Sequence, residues 1–218
     1  MKQSKIDWVD CTCNPVVGCK NGCPYCYARK LNDRFHFIDD WSESKFFPER
    51  LKQFESKKPK SVFINSMSDI GFWKDEWKEK VFHAMCHNPQ HSYIALTKCE
   101  EVSVPYWVRQ ELRGKFFLGQ TKTSGTVFNG FNEKYRDFLS AEPLLGELHF
   151  NGFGGIRVVI IGAETGKRKD KVVPKREWIE KIVAECDRAG VAVFMKESLR
   201  TIMGSDFRQD KLPWEHNQ

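Results

Sequence analysis

The sequence predicts an α/β protein with mostly parallel strands, arranged as an incomplete (β/α) barrel. Six short apolar runs lack the alternation of a half-exposed strand, and each precedes a helical pattern or a long loop. Strands of a parallel sheet give such runs because helices or loops cover both of their faces. The runs cover residues 61–65, 93–97, 115–119, 138–141, 157–162 and 191–195.

Apolar residues at helical spacing predict most of the connections between these strands. In the first helix, Tyr27, Leu31 and Phe35 recur every four residues. The predicted helices cover residues 24–35, 49–55, 74–86, 104–112, 131–137 and 174–190, and a first short strand is predicted at residues 11–14. Residues 199–218 are polar and weakly patterned, which predicts a C-terminal tail on a domain of residues 1–198.

Composition indicates a globular protein with a hydrophobic core. The chain has 218 residues, of which 40% are hydrophobic and 13% aromatic. Its apolar runs stay below the roughly 18 residues of a membrane span, and its N-terminus lacks the apolar core of a signal peptide. We therefore expect a cytoplasmic protein with no membrane partner.

The formal net charge of +6 comes from basic residues that alternate with acidic ones, which favours a solvated surface over a dedicated nucleic-acid face. Three segments are locally basic: residues 57–60, 167–171 and 175–176. Lys167, Arg168 and Lys169 follow a predicted strand end, where α/β enzymes place their sites. We expect this segment to meet a phosphate or carboxylate of a substrate.

Eight cysteines in a cytoplasmic chain predict a metal site together with buried thiols rather than disulfides. Cys86 and Cys186 fall in helical apolar stretches, which predicts core thiols. Cys11 and Cys13 are open to two interpretations: buried neighbours of a metal site, or ligands of a second centre.

Three further cysteines lie close together in the loop of residues 18–28. Cys19, Cys23 and Cys26 have the spacing C-x3-C-x2-C. Soft thiolates favour zinc or an iron–sulfur cluster, and a structural zinc site takes four protein ligands. Three cysteines therefore predict a cluster with one iron open to another ligand. The alternative is a zinc site in which Cys11 or Cys13 is the fourth ligand.

The cysteine spacing, with aromatic Tyr25 before the last cysteine, resembles the signature of the radical S-adenosylmethionine superfamily. The resemblance implies a partial (β/α)6-type barrel, a [4Fe–4S] cluster on Cys19, Cys23 and Cys26, and S-adenosyl-L-methionine at the open iron. It also implies reductive cleavage of that cofactor to a 5′-deoxyadenosyl radical that abstracts a hydrogen atom. A reducing partner such as flavodoxin or ferredoxin would supply the electron.

Short motifs along residues 5–198 resemble more narrowly the phage Gp37/Gp68 proteins, a branch distantly similar to spore photoproduct lyase. Together with the basic charge, this resemblance implies a nucleotide or nucleic-acid substrate. The motifs cover residues 6–8, 14–19, 65–69, 96–98, 140–146 and 162–166.

Polar residues follow the predicted strands, at the ends where parallel barrels bind ligands. Ser66, Ser68, Thr121 and Ser140 have an alternative role as helix N-caps. A lysine directly after a buried strand, such as Lys98, needs a partner. The expected cofactor-binding residues are Ser66, Ser68, Lys98, Thr121, Ser140, Glu142, Gly162 and Glu164.

The lyase resemblance assigns roles within this set. Ser66 or Ser68, then Lys98 and Thr121, match the order in which that family holds the cofactor carboxylate and ribose. Gly162 and Glu164 would lie beside the adenosine, and Glu142 either binds substrate or pairs with Lys98. Two other functions stay open: a non-catalytic zinc protein that binds nucleic acid, and a redox protein that only carries a cluster.

Overall fold

The structure, a computed structural model, describes residues 2–102, 104–125, 127–129 and 136–216. Its contacts divide the chain into two compact units. Unit 1 comprises Met1–Phe117 with Trp214–Gln218, and unit 2 comprises Leu118–Pro213.

Unit 1 contains a sheet in the order β1-β2-β5-β6, in which β1 is antiparallel and the other strands are parallel. A separate antiparallel pair, β3 and β4, precedes and follows the cysteine loop. The elements are β1 (Lys2–Gln3), β2 (Cys11–Thr12), β3 (Val16–Val17), α1 (Tyr27–Phe35), β4 (Lys45–Phe46), β5 (Ser61–Phe63), α2 (Asp75–Cys86), β6 (Ser92–Thr97) and α3 (Tyr106–Glu111), with 3-10 turns at Pro48–Glu55 and Ile70–Phe72.

Strand β7 (Phe116–Thr121) begins in unit 1 and ends in unit 2, where the sheet order is β7-β9-β11-β12 and all pairs are parallel. Strands β8 and β10 form a separate parallel pair. The remaining elements are β8 (Val127–Asn129), β9 (Phe138–Ala141), β10 (His149–Asn151), β11 (Val158–Ile161), α4 (Arg176–Ala189), β12 (Ala192–Met195) and α5 (Arg200–Met203), with 3-10 turns at Glu197–Leu199 and Gly204–Asp206.

These bounds confirm the predicted α/β class and its mostly parallel strands. Each of the six apolar runs contains a strand, and each predicted helix outside residues 131–137 contains a helix or 3-10 turn. Most of the predicted helix at 131–137 lies outside the described residues. The finer prediction, a radical S-adenosylmethionine barrel, stays a prediction.

Both units have an apolar core. In unit 1, Trp8 packs against Phe63 and Trp214, with ring centroids 4.9 and 6.0 Å apart, and the Trp214 indole N–H donates to the Trp8 carbonyl at 2.8 Å. The burial of Trp214 shows that the segment predicted as a polar tail contributes to this core. In unit 2, the apolar stripe of α4, including Ile179 and Ile182, packs on the sheet as its spacing predicts.

Helix α1 differs from α4 in what it buries. Its side chains at Ala28 and Asn32 are buried, whereas Tyr27, Leu31 and Phe35, the residues whose spacing predicts the helix, are exposed. The spacing therefore predicts the helix correctly, although this apolar stripe faces solvent. In the described part of the chain, no helix has the length and apolar character needed to cross a membrane.

Candidate functional site

The cysteine loop is attached to the loop that follows β5. The Gly18 N–H donates to the Met67 carbonyl at 3.0 Å, and the Cys19 N–H donates to the Trp41 carbonyl at 2.8 Å. Gly18 has a φ of 107°, and a Cβ at this position would lie 2.8 Å from the Cα of Ser44. Only glycine fits here, because the backbone is left-handed and closely packed. The start of the loop is thus held in place by unit 1.

Cys19, Cys23 and Cys26 are all partly exposed thiols, so a ligand can reach them from outside. Burial raises the pKa of Cys19 to about 11, partly offset by a backbone hydrogen bond from Asn21. The negative charges of Asp69, Cys23 and Cys26 raise this pKa further. The three thiols of the loop are therefore close enough to influence one another electrostatically.

The other cysteines occupy different environments. Burial raises the pKa of Cys11 to about 11 and that of Cys13 to about 12. Both thiols are buried and donate hydrogen bonds to backbone carbonyls, Cys11 to Ser61 at 3.6 Å and Cys13 to Arg50 at 3.5 Å. This favours the interpretation of Cys11 and Cys13 as buried neighbours. Cys186 is a core thiol as predicted, whereas Cys86 is only partly buried.

The cysteine loop offers three sulfur donors to the metal ion or iron–sulfur cluster that it is predicted to hold. Among the described residues, no three His, Cys, Asp or Glu side chains are arranged to hold one metal ion. Thiolates that share a zinc ion lie within about 4.6 Å of each other, because each Zn–S bond is about 2.3 Å. A four-iron cluster gives each thiolate its own iron, so its ligands lie farther apart. The chemistry of this donor set, three thiols on one loop, fits a soft metal centre such as an iron–sulfur cluster.

Asp69 connects the cysteine loop to the segments that follow β5 and end β6 through hydrogen bonds. Its buried carboxylate accepts four hydrogen bonds. The donors are Asn21 Nδ2 at 2.8 Å, Thr97 Oγ1 at 2.6 Å, the Gly71 N–H at 2.9 Å and the Lys98 N–H at 2.8 Å. Because Asn21 lies between the first two cysteines of the loop, this carboxylate sets the position of the loop relative to the strand ends.

Ser66 and Ser68, predicted to bind the cofactor, form hydrogen bonds within unit 1. The Ser66 hydroxyl donates to Asn14 Oδ1 at 3.1 Å, and the Ser68 hydroxyl accepts from the Trp73 indole N–H at 3.0 Å. Neither serine caps a described helix, and Asp69 is the N-cap residue of the turn that follows. Their alternative role as N-caps is therefore wrong, and a ligand would have to share these hydroxyls with their present partners.

Lys98 lies at the cysteine loop. Its ammonium is 5.9 Å from the ring centroid of Tyr25, between Cys23 and Cys26 in the sequence, which is within the range of a cation–π contact. Its backbone N–H is held by Asp69. The predicted lysine and the predicted cysteines are therefore neighbours in unit 1, a juxtaposition that the sequence distance of more than 70 residues does not reveal.

In unit 2, Thr121 and Ser140 are register neighbours on β7 and β9. Both side chains are buried and, at paired positions of parallel strands, they share one face of the sheet. The N–H of Gly162, the residue after β11, donates to the Ala141 carbonyl at 3.1 Å. The predicted strand-end residues of this unit thus lie on adjacent strands.

Glu142 forms an ion pair with Lys196, the residue that follows β12. A Cβ at Gly162 would lie 2.9 Å from the Lys196 Cδ and 3.2 Å from the Glu142 Cγ. Gly162 therefore leaves space for this ion pair. Lys196 was not among the predicted site residues, although it follows a strand as Lys98 does.

Glu164 is buried and accepts two hydrogen bonds from the Arg168 guanidinium, each 2.7 Å long. Arg168 therefore has a partner within its own loop, whereas Lys167 and Lys169 are exposed. Arg176, in another basic segment, binds Glu180. Two of the arginines predicted to form basic surfaces thus make structural ion pairs.

Comparison with known proteins adds one relationship. A family model described as a protein of unknown function, DUF5131, matches residues 3–203. The chain belongs to the DUF5131 family. No curated protein and no solved structure matches this chain.

Asp69, which organises this site in the DUF5131 chain, is recognisable from the sequence as a polar residue at a strand end, but sequence reasoning assigned it no role. Its position after β5 does not distinguish it from Ser66 or Ser68. The available signal was that an acidic residue shortly after a buried strand needs several donors if it is itself buried. Those donors come from three separate segments, which only the folded chain brings together.

Proposed function

We propose that this chain is a radical S-adenosylmethionine enzyme built on a partial (β/α)6-type barrel. In this proposal Cys19, Cys23 and Cys26 hold a [4Fe–4S] cluster. The bound cluster would supply one electron for reductive cleavage of S-adenosyl-L-methionine, and the resulting 5′-deoxyadenosyl radical would abstract a hydrogen atom from the substrate. A cytoplasmic location belongs to the proposal, because a reducing compartment keeps these thiols available.

One observation carries the proposal: the Lys98 ammonium lies over the ring of Tyr25. Tyr25 belongs to the loop that contains the three partly exposed cysteines. A cation at this position suits the carboxylate of the cofactor methionine, which would bind at the iron that lacks a protein ligand. Asp69 would act as a positioning residue, since it binds both the loop and the Lys98 backbone.

Two of the proposed ligand-binding residues of unit 2, Glu142 and Glu164, already have ion-pair partners that a ligand would have to displace or share. Glu142 binds Lys196, and Glu164 binds Arg168. A cofactor hydroxyl or a substrate would therefore contact either carboxylate beside the cation that it already binds. Thr121 and Ser140 offer hydroxyls for the ribose. We propose a nucleotide or nucleic acid as the substrate class, on the basis of the resemblance of the chain's motifs to spore photoproduct lyase together with its net charge of +6.

Anaerobic reconstitution with iron and sulfide tests the proposal and separates it from its alternatives. A brown protein with about four irons per chain that forms 5′-deoxyadenosine after reduction with dithionite supports it. A colourless protein that copurifies with zinc would establish the zinc-binding alternative. A stable cluster that never cleaves S-adenosyl-L-methionine would instead indicate a redox carrier.

A further inference from the structure

Helix α1 presents an exposed apolar surface, which we call the α1 face. Tyr27, Leu31 and Phe35 lie on one side of the helix because they are four residues apart. They are 52%, 38% and 54% exposed, and the neighbouring Phe37 is 41% exposed. Phe35 and Phe37 contact each other, with ring centroids 5.8 Å apart. Four large apolar side chains in one stretch differ from the scattered single residues that are normal on a surface.

Two basic residues lie beside the α1 face. Lys30 and Arg34 are exposed next to the stripe, whereas Arg29 is exposed on the opposite side of the helix and Asp33 is the single acidic residue of α1. The Arg34 guanidinium lies 5.0 Å from the ring centroid of Phe35. Aromatic side chains and arginine are enriched in protein interfaces, where an apolar centre is surrounded by a polar rim. The α1 face therefore has the composition of a docking surface for an acidic protein.

The α1 face is directly connected to the thiol loop. Cys26 is the N-cap residue of α1, and its sulfur accepts a hydrogen bond from the Arg29 N–H at 3.4 Å. The Tyr27 hydroxyl donates to the Ser66 carbonyl at 2.9 Å, so the first residue of the face is attached to the loop after β5. A nine-residue helix is about 13 Å long. A protein that covers this face therefore approaches the three thiols closely.

We propose that the α1 face docks an acidic one-electron carrier protein. This inference rests on the proposed function, whose chemistry consumes an electron from outside the chain. In the docked complex the carrier is oxidised by one electron and the thiol-bound site is reduced by one electron. The basic rim attracts the acidic carrier, and the apolar residues form the centre of the contact.

A protein partner fits the α1 face better than a nucleic acid or a second copy of the chain. Proteins that bind single strands stack successive bases on aromatic rings, whereas Leu31, in the middle of this stripe, offers no ring. A symmetric contact between two copies would bring two basic rims into one interface, without the acidic groups that Lys30 and Arg34 would need opposite them. An amphipathic helix with anchors four residues apart is a common protein-recognition surface.

The test compares the parent protein with the double variant Leu31→Glu/Phe35→Glu, using flavodoxin as the acidic carrier. Calorimetric titration with oxidised flavodoxin at low salt should show at least a tenfold loss of affinity in the variant. The matched control is Tyr106→Glu, which places the same charge at a residue that is 76% exposed in the same unit, and it should bind like the parent. The variant Lys30→Glu/Arg34→Glu should mainly slow association.

Reduction assays separate docking from catalysis. With subsaturating reduced flavodoxin, Leu31→Glu/Phe35→Glu should form 5′-deoxyadenosine at least tenfold more slowly than the parent, and with dithionite the two should have equal rates. If the parent forms no 5′-deoxyadenosine with dithionite, the proposed function fails, while flavodoxin binding is still measured independently.

Three results would overturn the docking proposal. The first is equal flavodoxin affinity of the parent and the Leu31→Glu/Phe35→Glu variant. The second is binding of a ten-nucleotide oligothymidylate that the variant loses, since this would assign the face to nucleic acid. The third is a parent dimer in sedimentation that the variant converts to a monomer, since this would assign the face to a second copy.

Discussion

The two units use carboxylates differently at their strand ends. In unit 1, Asp69 accepts hydrogen bonds from two uncharged side chains and two backbone N–H groups. In unit 2, Glu142 and Glu164 each bind a cation from their own unit, Lys196 and Arg168. The first arrangement connects separate segments of backbone, whereas the second neutralises charges in pairs.

This difference affects which charged groups can meet a ligand. Asp69 accepts from uncharged donors, one of them the Lys98 backbone N–H, while the Lys98 ammonium lies over Tyr25 in the cysteine loop. A ligand carboxylate that binds Lys98 does not have to break an ion pair with Asp69. In unit 2 a ligand has to compete with an existing partner at both glutamates. In the proposed enzyme, Lys98 of unit 1 is therefore the cation we expect to meet the cofactor carboxylate.

The largest effect is expected at the cysteines of unit 1. Replacing Cys19, Cys23 or Cys26 by Ala should remove the iron chromophore completely, because each thiolate would hold one iron of the cluster. Iron analysis after anaerobic reconstitution gives the measurement. Cys11→Ala and Cys13→Ala are the controls and should retain about four irons per chain. Loss of the cluster in Cys13→Ala would contradict the three-ligand assignment.

Asp69→Asn should lower the free energy of unfolding by about 2–4 kcal/mol. The Asn amide has the same shape as the carboxylate, but an NH2 group replaces one of its two acceptor oxygens. Two of the four groups that donate to Asp69 then lack an acceptor. Urea denaturation of the parent and the variant measures the change. Asp75→Asn, at a fully exposed carboxylate paired with Lys78, should leave the free energy of unfolding nearly unchanged. Equal losses of unfolding free energy in the two variants would show that Asp69 does not stabilise the fold more than an exposed carboxylate does.

Lys98→Met should weaken binding of S-adenosyl-L-methionine by about 10- to 100-fold, because a charge-assisted contact contributes about 1.5–3 kcal/mol. Calorimetric titration of the reconstituted protein gives the dissociation constant, and the iron content should not change because the thiols are intact. Lys78→Met, at another partly covered lysine of unit 1, should bind like the parent. Undiminished binding by Lys98→Met would show that another residue holds the carboxylate.

The smallest effect concerns the ion pair of unit 2. A double-mutant cycle with Glu142→Gln and Lys196→Met should give a coupling free energy of about 1 kcal/mol, because both side chains are partly buried. The more exposed pair Glu147–Lys181 of the same unit provides the comparison and should couple more weakly. If Glu142 and Lys196 show no coupling, Lys196 does not restrain Glu142, and a ligand could bind its carboxylate more easily.

Much of the secondary structure follows from local sequence pattern. Apolar runs without alternation predict the parallel strands, and the spacing of Ile179 and Ile182 predicts both α4 and its buried side. The same reasoning predicts α1 from Tyr27, Leu31 and Phe35 but not that these residues face solvent. Spacing determines which residues share a side of a helix, whereas burial depends on what the rest of the chain places against that side.

The sequence by itself determined the α/β class, the positions of the parallel strands of the main sheet and the cysteine loop, because these depend on residues close together in the chain. Tertiary structure alone decided that Asp69 joins Asn21 to Thr97 and Lys98, since these residues meet only when β5 and β6 pair and the loop returns to them. It also decided that Glu142 pairs with Lys196. A side chain's charge and size can be read from its position in the chain, but its partners depend on contacts between distant segments.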